Sequence, residues 1–163
     1  MRNCWLVSGV ILSAVSLYAQ ADAKFVKEAS EGGLAEVQLG QLALQKAESQ
    51  AVKDFAQHMV ADHSKANEEL KTTAGSVNMP VSTSLSVSDE ALKVKLEALS
   101  GSAFDKSYMS AMVKDHQTDV AAFEKEASGG ENAKIKNFAS KTLPTLKHHL
   151  SMAQEAAATV GAK

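Results

Sequence analysis

Two histidines of this chain lie in the same short sequence pattern. The segment Met59-Val60-Ala61-Asp62-His63 returns as Met112-Val113-Lys114-Asp115-His116. An aromatic residue stands eight positions before each histidine and an apolar residue seven positions after it. The chain therefore contains a short internal duplication. Because imidazole is a common metal ligand and proton carrier, its repetition within an apolar helical pattern predicts a polar site inside a helical bundle.

Two more ionisable residues occupy inward positions by helical spacing. Glu36 lies seven residues after Ala29 and three before Leu39, and His149 lies three after Leu146. Each long helix thus supplies one such residue, and a rise of about 1.5 Å per residue puts all four near mid-helix. One carboxylate and three imidazoles could hold a single zinc, iron or copper ion. They could equally form a buried hydrogen-bond network, and the sequence leaves both interpretations open.

Each repeated histidine has an aspartate directly before it. Asp62 and Asp115 lie about 100° around the helix from their histidines. This position suits a carboxylate that orients a histidine of a neighbouring helix, so both are candidate second-shell residues of a metal site. The alternative is that both are solvent-facing acids.

Methionines accompany the inward histidines. Met59 and Met112 lie one turn before the repeated histidines, and Met152 lies three residues after His149. Thioether and imidazole ligands together favour copper(I). Methionine at helical spacing is more often a core residue, so copper is the less favoured of these interpretations.

The elements that must position these residues are helices. The sequence predicts long helices over residues 23–48, 50–76, 102–127 and from 131 past 152, and a short helix over 89–100 that begins at Ser88. No segment alternates as a strand does. We therefore predict an all-α fold, a four-helix bundle with one short connecting helix. Two interpretations of the glycines in the first helix stay open: Gly32 and Gly33 weaken the helix locally, or Gly33 and Gly40 let a neighbouring helix approach closely beside Glu36.

The N-terminus has the features of an export signal. Arg2 is followed by an apolar run from Trp5 to Tyr18 and by small residues at 19–21. We predict a signal peptide over 1–21 and one bundle domain over 22–163, with cleavage after Ala23 as the alternative. The expected location is the periplasm. The apolar run is too short for a membrane anchor, and no later segment could span a bilayer.

Composition excludes several classes of function. Cys4 leaves with the signal peptide, so the mature chain has neither a disulfide nor a catalytic thiolate. Without Arg2 the chain has 16 basic and 19 acidic residues, a net charge of −3. With no basic stripe, a nucleic-acid partner is not expected. Phosphate-binding glycine loops and nucleophile motifs are absent, which favours a protein without catalytic activity.

Four runs carry a family resemblance. They are Gly32 to Gly40, Phe55 to His63, Phe104 to Met109 continuing through Asp115-His116, and Leu143 to Leu150. With these runs the mature chain resembles the bacterial domain-of-unknown-function family 4142. The resemblance implies an exported periplasmic or outer-membrane protein with a ferritin-like bundle, and a crossover between the second and third long helices. It implies no particular activity.

The sequence departs from the ferritin di-iron pattern. That pattern needs Glu-x-x-His on two helices. Val60, Val113 and Leu146 stand three residues before the inward histidines, so Glu36 is the one residue that matches a carboxylate role. A mononuclear site fits better, and the working hypothesis is metal handling or tolerance of envelope stress. The rival hypothesis is a structural or interaction bundle whose Glu/His cluster fixes helix register. A metal-dependent redox enzyme is the third.

Overall fold

A computed structural model of the protein describes the backbone of residues 12–162 and the side chains from residue 20 onward. Most of the predicted signal peptide lies outside the residues whose side chains are described. The helices are α1 (Leu12–Lys46), α2 (Gln50–Gly75), α3 (Val87–Glu97), α4 (Gly101–Gly129) and α5 (Ala133–Val160). The predicted all-α fold is confirmed, with four long helices and one short one. None of the helices described is long and apolar enough to cross a membrane.

The four long helices form a ring in cross-section. α1 packs against α2 and α4, and α5 packs against the same two helices from the opposite corner. The 25-residue connection between α2 and α4 contains α3, which contacts α1 and α4. This crossover makes α2 and α4 parallel, because α3 carries the chain back along the bundle. It agrees with the connection that the family resemblance implies.

The start of α3 corrects one sequence prediction. The cap is Ser86 and not Ser88, because the Ser86 side chain accepts a hydrogen bond from the backbone N–H of Asp89. The helix therefore begins at Val87 and ends at Glu97, a little earlier at both ends than predicted. Asp89 and Glu90 still occupy the first turn, where acidic side chains interact favourably with the helix dipole.

Buried aspartates tie the two ends of the bundle together. At one end, Asp105 of α4 accepts backbone N–H bonds from Glu48 and Ser49, in the turn between α1 and α2. At the other end, Asp22 of α1 accepts backbone N–H bonds from residues 131 and 132, in the turn between α4 and α5. Each carboxylate satisfies N–H groups at a helix start that have no intrahelical acceptor. These bonds fix how the helix pairs meet.

The interior has two apolar clusters separated by a polar level. One cluster contains Leu39, Phe55, Met59, Tyr108 and Met112 among its members. The other is built around Phe25, Leu70, Phe123, Ile135 and Phe138. In each long helix, the clustered residues before the inward ionisable residue belong to one apolar cluster and the clustered residues after it belong to the other. The predicted level of the four residues is therefore the junction between the two clusters.

Contacts between α1 and α2 explain the two glycines near this level, Gly33 and Gly40. A Cβ atom added at Gly40 would lie 3.2 Å from the carbonyl oxygen of Ala56 and 3.0 Å from a methyl carbon of Val60. A Cβ at Gly33 would collide with the side chain of Asn67. Of the two interpretations that the sequence leaves open, close helix packing is correct. At Gly32, by contrast, an added Cβ would meet nothing within 4 Å.

We expect Gly40→Leu to lower the free energy of unfolding by about 1–3 kcal/mol, because the larger side chain overpacks the α1–α2 contact. Gly32→Leu is the matched control on the same helix, and it should raise stability by up to about 1 kcal/mol through helix propensity. Chemical denaturation of both variants measures the difference. Equal stability of the two variants would contradict the close packing.

Candidate metal centre

One residue from each long helix contributes to a buried Glu/His cluster. Glu36 of α1, His63 of α2, His116 of α4 and His149 of α5 have 1%, 6%, 0% and 1% of their surface exposed. All four are therefore removed from solvent, as their spacing predicts. The structure brings the four predicted residues together at one level of the bundle.

Glu36 links two of the three imidazoles. Its Oε2 atom lies 2.5 Å from Nδ1 of His63, and its Oε1 atom lies 3.1 Å from Nε2 of His116. Nε2 of His63 in turn lies 3.3 Å from Nδ1 of His149. Each of the three imidazoles offers a ring nitrogen within 4.8 Å of one from each of the others. Three nitrogens at such distances can share one ligand or ion.

Acceptors outside the cluster determine which nitrogens carry protons. Nε2 of His149 lies 2.9 Å from the Asp62 carboxylate, and Nδ1 of His116 lies 2.9 Å from the backbone carbonyl of Met112. Ionised carboxylate and carbonyl oxygens only accept, so each of these nitrogens donates. In the neutral rings, Nδ1 of His149 and Nε2 of His116 then carry lone pairs that face the cluster.

Burial keeps the cluster uncharged. It raises the pKa of Glu36 to about 8, against a smaller opposite effect from His116. It lowers the pKa values of His63 and His149 to about 4 and also lowers that of His116. Removing a charge from water costs free energy unless a partner compensates it, and in the described chain no lysine or arginine pairs with Glu36. The imidazoles are therefore neutral at pH 7, the form that binds metal.

Several atoms of the cluster are close to each other without being hydrogen-bonded. Both carboxylate oxygens of Glu36 and Nε2 of His116 have no hydrogen-bond partner among the described residues. Buried polar atoms normally have one. A protonated Glu36 has a single proton for two facing nitrogens, so one imidazole lone pair is left without a donor. Converging lone pairs of this kind suit a cation.

The two predicted second-shell aspartates differ in their surroundings. Asp62 accepts the hydrogen bond from His149, a histidine of a neighbouring helix, and is itself 43% exposed. Asp115 has a carboxylate oxygen within 4.8 Å of oxygens of Glu36 and Asp119. Asp119 was missed from the sequence. Its signal is its spacing, because it follows Asp115 by four residues and shares that face of α4.

The methionines belong to the apolar packing. Met59 and Met112 are fully buried in the cluster that contains Phe55, and Met152 packs against that cluster. This is the core-filling role that helical spacing favours for methionine. His58 and His148, which lie off the inward stripes, are exposed.

The sequence of the chain matches one known protein family over most of its length. The model of the DUF4142 family, a domain of unknown function, matches residues 13–156. The chain belongs to the DUF4142 family. The predicted resemblance is therefore confirmed over most of the protein. Comparison with curated proteins gives no significant match.

Solved structures show the same fold at low sequence identity. A DUF305 protein from Streptomyces coelicolor, presumed to be secreted, is 17% identical with a TM-score of 0.73, covering 88% of this chain and 94% of that one. The Cu(II)-bound form of CopM is 16% identical with a TM-score of 0.70, covering 85% and 96%. The Cu(I)-bound form of CopM is 19% identical with a TM-score of 0.66, covering 82% and 93%. The DUF4142 chain shares their helical architecture.

The raised pKa of Glu36 predicts a stability change in metal-free protein. The folded chain retains the Glu36 proton up to about pH 8, whereas the unfolded chain loses it near 4.5. At this group the native protein binds more protons than the unfolded chain, so the Glu36 contribution to stability falls as pH rises through the window. Between pH 6.5 and 8 that contribution falls by about 1.5 kcal/mol, and the three buried histidines oppose it by about 1 kcal/mol, because the unfolded chain still binds protons on them near pH 6.5.

We expect Glu36→Gln to remove this fall, since an amide does not titrate. Urea denaturation in EDTA at pH 6.5 and 8 measures it. Glu124→Gln, an exposed acid of α4, is the control and should behave as wild type. An unchanged pH dependence in Glu36→Gln would show that Glu36 ionises normally in the folded protein.

Proposed function

We propose that this DUF4142 protein is an exported metal-binding bundle that holds one transition-metal ion at His63, His116, His149 and Glu36. The role that follows is metal handling in the periplasm. One observation carries the proposal: three neutral, buried imidazoles converge within 4.8 Å beside a buried carboxylate that has no hydrogen-bond partner.

The donor set fits such an ion. Asp62 and the Met112 carbonyl take the outer protons of His149 and His116, which leaves the inner nitrogens of both rings free to bind. Metal-bound histidines commonly have this kind of outer hydrogen bond, which fixes the tautomer and the orientation of the ring. Glu36 would supply a negative charge against the charge of the cation. Bound metal would thereby satisfy the atoms that lack partners in the protein alone.

Copper is the first choice among the metals. Imidazole and carboxylate together accept copper(II), zinc and iron(II), and copper(II) binds most tightly at a given nitrogen and oxygen site. CopM, a bundle with the same fold, is known in Cu(I)-, Cu(II)- and silver-bound forms. Its identity to this chain is below 20%, so the likeness supports the choice of metal through the shared fold alone.

The rival function is a purely structural one. Asp62, His149 and His63 form a continuous hydrogen-bonded series, with distances of 2.9 and 3.3 Å between successive partners. Such a series can set the register of α2 against α5 without any ion. The two functions differ in whether metal accompanies the cluster.

Elemental analysis of untagged protein from the periplasm, followed by titration with copper(II) and zinc, tests the proposal. We expect one metal ion per chain in wild type and almost none in His116→Ala/His149→Ala. The double variant His58→Ala/His148→Ala removes two exposed histidines and is the matched control, so it should keep full metal content. Metal content that is substoichiometric and equal in both double variants would favour the structural function.

A milder substitution guards against loss of folding. Asp62→Asn keeps the size of a half-exposed side chain but weakens the bond that orients His149. We expect metal affinity to fall by about 10- to 100-fold with little change in Tm. A large fall in Tm with unchanged affinity would mean that Asp62 acts in stability alone.

A further inference from the structure

Glu36 also takes part in a second group of possible ligands, made entirely of carboxylates. One oxygen each from Glu36, Asp115 and Asp119 lies within 4.8 Å of the others. Glu36 is 1% exposed, whereas the two aspartates are partly buried. The carboxylate group and the three imidazoles thus meet at Glu36.

None of the three carboxylates pairs with a lysine or arginine among the described residues. Asp115 and Asp119 form neither a hydrogen bond nor an ion pair with any residue whose side chain is described. Both oxygens of the deeply buried Glu36 are likewise without a hydrogen-bond partner. Three carboxylates at these distances can be ionised together only if a cation lies between them.

A surface cleft leads to this group. It has a volume of about 340 Å³ and is lined by acidic and hydroxyl side chains that include Glu28, Ser88, Asp89, Asp115 and Asp119. Asp119 also lines a second, smaller pocket of about 20 Å³ together with Glu36 and His63. A space of roughly 10–15 Å³ on this measure is enough for one water molecule. Asp119 therefore stands between solvent and the buried carboxylate.

We propose that Glu36, Asp115 and Asp119 form a second cation site, one that binds a hard divalent cation through oxygen atoms at the inner end of the cleft. Hard cations such as Mn²⁺, Mg²⁺ and Ca²⁺ prefer carboxylate and water ligands, and the cleft leaves room for water. The site is separate from the histidine site in its donor atoms and shares only Glu36 with it. It does not depend on transition-metal binding by the imidazoles.

Titration of the purified protein with Mn²⁺ tests this site, with the loss of the free-ion signal followed by electron paramagnetic resonance. We expect saturable binding of one Mn²⁺ below about 1 mM, competed by Ca²⁺. Asp115→Asn/Asp119→Asn should weaken Mn²⁺ binding by at least tenfold. Because neither aspartate has a hydrogen-bond or ion-pair partner to lose, this variant should keep the Tm of the wild type, so lost binding would not reflect lost folding. Glu124→Gln on the same helix is the control and should bind as wild type.

Two further variants separate this inference from the proposed function. His116→Ala/His149→Ala should lose copper and keep Mn²⁺, whereas the single variant Asp119→Asn should keep copper and weaken Mn²⁺ binding. Absence of saturable Mn²⁺ binding in wild type, or equal binding in wild type and the aspartate variant, would overturn the carboxylate site. Neither result would bear on copper binding by the histidines.

Discussion

A carboxylate in the middle of a helical bundle needs either a proton or a cation, and the surroundings of Glu36 depend on this need. Among the residues described, no lysine or arginine reaches it, and its neighbours are imidazoles whose own protonation is opposed by burial. The two apolar clusters of the core end at this level. All four long helices therefore pack around the Glu36 carboxylate, and its charge depends on whether it holds a proton or binds a cation.

Two sets of metal-ligand atoms surround Glu36, imidazole nitrogens and carboxylate oxygens, and they differ in chemical hardness. One set consists of neutral imidazoles from three helices, and the other consists of two aspartates of α4 that line the cleft. Borderline metals prefer the first set and hard cations the second. A single carboxylate between two such sets can contribute to either. This arrangement also separates the protein from ferritin-type di-iron bundles, whose metals are held by Glu-x-x-His pairs that this chain lacks.

Helical periodicity was enough to predict the fold and the convergence of Glu36, His63, His116 and His149. Each stands in an apolar stripe, and long helices of similar length leave few ways to misalign them. The carboxylate group was not predictable in this way. Asp119 lies on a part of α4 that faces the crossover, and the course of α3 depends on packing that no local pattern encodes. The cap of α3 was misplaced because Ser86 and Ser88 are equally good capping residues by type.

Asp22 joins the start of α1 to the turn before α5, a link between residues 110 positions apart in the sequence. It is also the first residue of the mature chain if signal cleavage follows Ala21. Cleavage two residues later would remove this carboxylate and leave two N–H groups of the turn without their acceptor. Proteolytic maturation would then decide how firmly the α4–α5 end of the bundle is closed. Two forms of the protein that differ by two residues at the N-terminus would differ in the local opening of a turn that is distant in sequence.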